Sequence, residues 1–184
     1  MGTKTGEKKG MNILIVYATK GGVSRRCAEM LAGLLAEKHA VTCLNIEENP
    51  PSPGGFDVAV VGGSVRMGRW NKKLRHYVKN HKETLENMPS AAFFCCGFPD
   101  EFEDYAETQL PKNMRFSLGV HCFGGELKPE KLRGFDKLVI KMVRSHIRTR
   151  DFEEGEYHSY TLPEIIPEHI SLLADKIRAL TVKS

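Results

Sequence analysis

The sequence has no apolar run approaching the roughly 20 residues that a membrane-spanning helix requires. Its first ten residues, MGTKTGEKKG, have no apolar core and do not read as a secretory signal. Cysteine is sparse and odd in number: Cys27, Cys43, Cys95, Cys96 and Cys122 form no regular framework. That argues against a disulfide scaffold and for a reducing, cytoplasmic setting. No CxxC and no Cys/His spacing of the kind that holds zinc is present, so no metal site is expected. Tryptophan occurs once, at position 70. There is no internal repeat and no linker-like stretch.

What is present suits one globular domain. With 184 residues, 41% apolar and 27% charged, the chain can bury a sizeable core but hardly two. Residues 1–10 read as a flexible leader or an added extension, with Met11 at the start of the first apolar run, so residues 11–184 form the expected domain. The net charge of +4 is unevenly spread. Residues 126–150 hold eight Lys/Arg against three Asp/Glu, whereas residues 99–107 hold five acids and no base. A basic face suits an anionic membrane, a phosphate, nucleic acid or an acidic partner, and is equally what a solvated helix shows.

Hydrophobic patterning gives alternating strands and helices. Asn12–Tyr17 (NILIVY) and Phe56–Val61 (FDVAVV) are continuous apolar runs of the kind buried on both faces. Ala40–Asn45, Ser90–Cys96 and Phe116–Phe123 read as three further strands. Helices are expected over Ser24–Lys38, with Ser24 as N-cap, over Asn71–Asn80, over 102–110 as a short segment, and over Pro163–Leu180. Within FDKLVIKMVRSHIR, residues 135–148, the apolar positions share a helical face and the basic ones lie elsewhere. Buried strands alternating with helices imply a doubly wound α/β sheet, parallel and five-stranded, with helices on both faces. Ligands of such sheets sit at the carboxyl ends of strands. The loops that matter are therefore 18–24, 62–70 and 96–103.

The first of these, Ala18-Thr19-Lys20-Gly21-Gly22-Val23-Ser24, joins a strand to a helix. Unpaired N–H groups at a helix start, two hydroxyls, a lysine and two glycines that permit close approach suit an anion. The loop lacks the Gly-Lys-Ser/Thr of a Walker A motif and is not GxGxxG. A glycine-rich turn that binds nothing fits about as well.

YATKGGVS resembles the phosphate-binding loop of flavodoxins. The stretch GGSVRMGRWNKKLRHYVKNHKETLENMPSAAFF resembles more closely the quinone-dependent protoporphyrinogen oxidases of the flavodoxin superfamily, with their Gly-x-Ser-x-Arg-x-Gly loop, following helix and Met-Pro-Ser entry to a strand. FDKLVIKMV is similar to their late basic, apolar segment. The resemblance spans about residues 11–180. It implies a flavodoxin-like sheet of order 2-1-3-4-5 and FMN as cofactor. By the family pattern Thr19, Lys20, Gly21, Gly22, Val23 and Ser24 hold the phosphate. Ser64, Val65, Arg66, Met67 and Gly68 border the isoalloxazine, and Cys96, Gly97 and Phe98 close its other side. Ring stacking falls to Met67, Trp70 or Phe98, and Trp70 could instead pack on the next helix. No catalytic acid or base is needed, because the flavin carries the redox chemistry.

Two departures stand out. The family's long basic insertion after the fourth strand is replaced by the shorter, acidic Cys95–Asn113, and Met67 stands where a Tyr is common. An oxidoreductase passing electrons from a reduced, tetrapyrrole-like substrate to a quinone is one expectation. A flavodoxin-type carrier docking a redox partner protein is another, and a flavin-free interaction domain is a third. No nucleic-acid partner is expected. Residues 135–148 could touch the inner face of a membrane peripherally. Adjacent Cys95 and Cys96 would make a strained disulfide and are expected as two strand-end thiols, one facing the core.

Overall fold

A computed structural model describes residues 10–66, 68–96, 102–125 and 164–180. The first strand, β1 (Asn12–Ala18), is buried at six of its seven positions. Its side chains alternate between two cores. Ile13, Ile15 and Tyr17 enter one, and Leu14, Val16 and Ala18 enter the other. This two-sided burial is why the run is apolar without alternation. β1 pairs in parallel with β2 (Ala40–Asn45) and β3 (Val58–Ser64), β3 with β4 (Ser90–Cys95), and β4 with β5 (Val120–Cys122). The sheet is five-stranded, in the order β2-β1-β3-β4-β5 that the family resemblance implies.

Helix α1 (Val23–Ala36) and α5 (Pro167–Arg178) cover one face through Cys27, Ala28, Leu31, Leu35, Ile170, Leu173 and Ile177. The other face is covered by α2 (Lys72–Asn80), the short α3 (Lys82–Glu86) and α4 (Phe102–Gln109). Asn71 caps α2, its side chain accepting from Lys73 N and Leu74 N. The expected helix thus begins one residue later, and α3 adds a turn the sequence reading did not separate. A glycine is required on β3: a Cβ at Gly62 would lie 2.1 Å from the Phe93 ring. Only a bare backbone lets that ring lie flat on the strand.

Three sequence expectations are corrected. Ser24 is not the N-cap of α1. Gly22 is, at φ 91° and with no side-chain cap, because the Ser24 hydroxyl is turned inward. The fifth strand is not Phe116–Phe123 but the three residues of β5. Gly119, at φ 91°, closes a turn by donating its N–H to the Phe116 carbonyl, which keeps the preceding residues out of the ladder. The last helix starts at Pro167 and not at Pro163, because Ile165 forms a β-bridge with Gly124 and Ile166 N donates to Phe123 O. The basic segment 135–148 lies outside the described residues. No helix among the described residues is long and apolar enough to cross a membrane.

Burial pushes the imidazoles of His39, His81 and His121 below their ordinary range. At His39 the unprotonated Nδ1 accepts from the Met11 amide. The unfolded chain therefore binds protons that the folded chain refuses, and stability rises with pH across this window. The contribution is complete above the ordinary histidine pKa of about 6.5 and is lost as pH falls through the depressed folded values. Thermal melts between about pH 7.5 and pH 5 should show a falling Tm, and replacing His39 and His121 together by Gln should flatten that fall.

Candidate functional site

Strands β1, β3 and β4 all end at one edge of the sheet, and each hands the chain to one of the three loops singled out above. The loop after β1 is Thr19–Gly22. Thr19 Oγ1 accepts from Gly22 N at 2.9 Å, tightening the turn. Gly22 takes the left-handed conformation that starts α1, and the Arg26 amide donates to Gly22 O at 3.1 Å. The helix carries no capping side chain and no acid in its first turn. The N–H groups of Val23, Ser24 and Arg25 have no partner within a helix that begins here. They and the helix dipole make a positive end. Extra Cβ atoms at Gly21 or Gly22 would meet nothing within 4 Å, so the space over this loop is open. Lys20 is exposed beside it.

The loop after β3 is a tight reversal. Val65 N donates to Cys95 O, continuing the ladder by one step, and Arg66 and Arg69 then exchange both backbone hydrogen bonds at 2.9 and 3.0 Å. Gly68 sits at φ 71° within this turn and also faces open space. Arg66 and Gly68 are exposed, and Val65 is half-buried against the second core.

Trp70 holds that turn from below. Its indole is 3% exposed, stacks on Phe94 with centroids 4.3 Å apart and planes 12° apart, and donates Nε1–H to Gly63 O at 2.9 Å. Its amide donates to Gln109 Oε1 of α4. Of the two roles the sequence leaves open for Trp70, flavin contact or packing on the next helix, the structure shows packing, on Phe94 of β4. The ring is packed in the core, where its apolar area is buried and its one polar atom is satisfied. Met67, Gly97 and Phe98 lie outside the described residues.

The two loops are tied together beneath the surface. Ser24 Oγ and Ser64 Oγ are 2.5 Å apart, and Ser24 is fully buried. Ser24 also hydrogen-bonds the Cys95 thiol, which in turn donates to Cys27 Sγ at 3.7 Å. That last bond raises the Cys95 pKa and lowers that of Cys27. Cys96 N donates to Gly124 O, and its Sγ lies 3.6 Å from that of Cys122. Cys95 and Cys96 are both buried and face different partners, so both thiols are interior, not one. These pairings cross between elements far apart in the chain and leave no trace in the sequence pattern. The described residues contain no cluster of three or more His, Cys, Asp or Glu arranged to hold a metal.

The arrangement is an open, uncapped helix start facing a glycine-containing turn across the carboxyl ends of a parallel sheet. A flavodoxin domain model matches residues 14–153, well over half of the chain. The chain belongs to the flavodoxin domain family. Among curated proteins it is 27% identical over 144 residues to the protoporphyrinogen IX dehydrogenase [quinone] of Escherichia coli K12, covering 72% of this chain and 78% of that one. It is 30% identical over 141 residues to the enzyme of the same name from Leishmania major, covering 71% of this chain and 61% of that one. Among solved structures, flavodoxin 1 of Bacillus cereus superposes with a TM-score of 0.41 at 15% identity, over 59% of this chain and 82% of that one.

Replacing Trp70 separates its two roles. Trp70→Phe keeps a ring on Phe94 and loses the bond to Gly63 O, and should cost about 1 kcal/mol. Trp70→Ala should cost about 3–5 kcal/mol. Urea denaturation followed by far-UV circular dichroism checks both.

Proposed function

We propose that this flavodoxin-family chain binds FMN and works as an oxidoreductase, passing electrons from a reduced, tetrapyrrole-like substrate to a quinone. The observation that carries FMN binding is the start of α1. It leaves several amides uncapped, has no nearby carboxylate in its first turn, and opens into free space at both glycines. A phosphate monoester meets those requirements, because it brings negative charge to the dipole and acceptors to the orphan donors. The residues present therefore fit the group. The amides of Lys20, Gly21, Val23, Ser24 and Arg25 and the Lys20 ammonium would hold the phosphate, the Gly22 amide being taken by Thr19 Oγ1. Thr19 shapes the turn, and Ser24 contributes its amide, since its hydroxyl is bonded to Ser64. Ser64, Val65, Arg66, Met67 and Gly68 on one side, and Cys96, Gly97 and Phe98 on the other, would border the ring.

When bound, the flavin supplies the electron-accepting and electron-donating chemistry. The chain positions it and sets its surroundings. The turn at Arg66–Arg69 offers backbone groups and a positive side chain where a reduced ring needs charge compensation, and the buried Trp70 keeps that turn in place. The substrate pair is supported by the names of the two enzymes that align with most of this chain. A carrier role is the second reading, and one feature favours it: α4 carries Glu103, Asp104 and Glu107 exposed beside the loop, a surface through which carriers find partners.

Two measurements test these readings. The protein should retain FMN and show an absorbance band near about 450 nm. Gly21→Asp adds a carboxylate to an open position of ordinary backbone conformation, so the fold should survive. Repulsion between like charges a few ångströms apart should weaken FMN binding by at least about tenfold. Unchanged affinity by fluorescence titration would place the phosphate elsewhere. For turnover, FMN-loaded protein should oxidise protoporphyrinogen in the presence of a quinone. Absence of turnover together with fast electron exchange with a partner protein would establish the carrier reading instead.

A further inference from the structure

Residues 66–82 contain seven Lys/Arg and no Asp/Glu. The stretch runs from the Arg66–Arg69 turn at the candidate site onto α2. Arg66, Arg69, Lys72, Lys73 and Lys79 are exposed, as is His76. Lys73 is paired with Glu47, and Lys82 with Glu86 at 3.8 Å. Arg69, Lys72 and Lys79 have no ion-pair partner among the described residues. The helix needs none of these charges to fold, because Leu74, Tyr77 and Val78 bury its inner face and Asn71 caps it. They concentrate one sign of field at the rim of the site.

We propose that this patch is the docking surface for an acidic redox protein that exchanges electrons with the bound flavin. The inference rests on the FMN reading for what is exchanged, but not for where the partner sits. Three observations single out this occupant. The exposed residues of α2 are all polar or charged, and the two large exposed apolar side chains among the described residues, Met30 and Leu172, lie on α1 and α5 across the sheet. A membrane therefore finds nothing to insert at the patch. The neighbouring α4 presents Glu103, Asp104 and Glu107, which a uniformly anionic bilayer would repel but a protein surface of mixed charge can avoid or match. A second copy of this chain would bring the same cations to the contact along with those three acids, so like charges would meet. An acidic protein brings carboxylates to Arg69, Lys72 and Lys79 without added cations, and electrostatic steering would then set its association rate.

The test uses the FMN-loaded protein and a fluorescently labelled, strongly acidic [2Fe–2S] ferredoxin as the probe. Binding is read by anisotropy, which needs no electron transfer. Association should slow at least about tenfold between low and near-physiological salt. Lys72→Glu/Lys79→Glu should remove most of that dependence and weaken binding about tenfold, while retained FMN absorbance and an unchanged melt show that site and fold are intact. Equal binding by wild type and variant would overturn the proposal. So would capture of the wild type but not the variant by phosphatidylglycerol vesicles without ferredoxin binding, or a wild-type dimer in sedimentation that the variant abolishes. If FMN is not retained while the ferredoxin still binds in a charge-dependent way, the flavin reading fails and the docking surface stands.

Discussion

Two-sided burial of β1, β3 and β4 is the constraint on which the rest depends. A strand covered on both faces must pair its own backbone along the ladder, since no water reaches it. In a parallel sheet that pairing ends abruptly where the strands stop, and here all the carboxyl ends stop at one edge. The loops at that edge inherit unpaired amides and carbonyls held in place by a rigid floor. Phe93 lies flat against Gly62, and Phe94 carries Trp70, so the floor is fixed to within side-chain dimensions. A flexible recognition loop would have to lose entropy on binding, whereas the turn at Thr19–Gly22, closed by its own hydrogen bond, has already lost part of its own on folding.

The polar groups just beneath the edge extend that rigidity. Ser24, Ser64, Cys95 and Cys27 form a buried chain of contacts linking α1, β3 and β4. A serine fully out of water needs a partner, and these residues supply one another. The consequence for the site is a division of labour. Hydroxyls hold the loops to each other, which leaves backbone amides as the donors proposed for the ligand. Peptide groups suit that second task, because their direction is set by the fold and not by a rotamer.

The sequence disclosed the sheet well and the side-chain assignments less well, for physical reasons. NILIVY and FDVAVV leave little alternative to buried strands, and their carboxyl ends marked the loops directly. Pattern alone could not show that the Ser24 hydroxyl turns toward Ser64, 40 residues away, or that Cys95 meets Cys27 across 68 residues. Periodicity reports which face a residue takes, not what waits there. Trp70 is the clearest case. Next to a glycine-rich loop an aromatic ring reads as a ligand platform or as a plug, and nothing in the pattern points to Phe94 beneath it. The short β5 was hidden because Phe116–Phe123 is apolar throughout, while a single left-handed glycine at 119 decides where pairing can begin.

Charge is where this chain departs most from its own fold logic, because the fold requires no particular sign on the outer faces of α2 and α4. Seven cations in 17 residues on one side of the site and three acids on an eight-residue helix at the other make an edge polarised across the ligand position. Mutual repulsion among Arg69, Lys72 and Lys79 is a small standing cost to the folded state, screened over about 8–10 Å of physiological solution. Such a cost is offset when an oppositely charged surface arrives. A polarised rim also restricts approach to one orientation, because a partner turned the other way meets like charges on both sides. On the proposed reading, the floor beneath the loops positions the ligand, and the charged rim around them limits which partners can reach it.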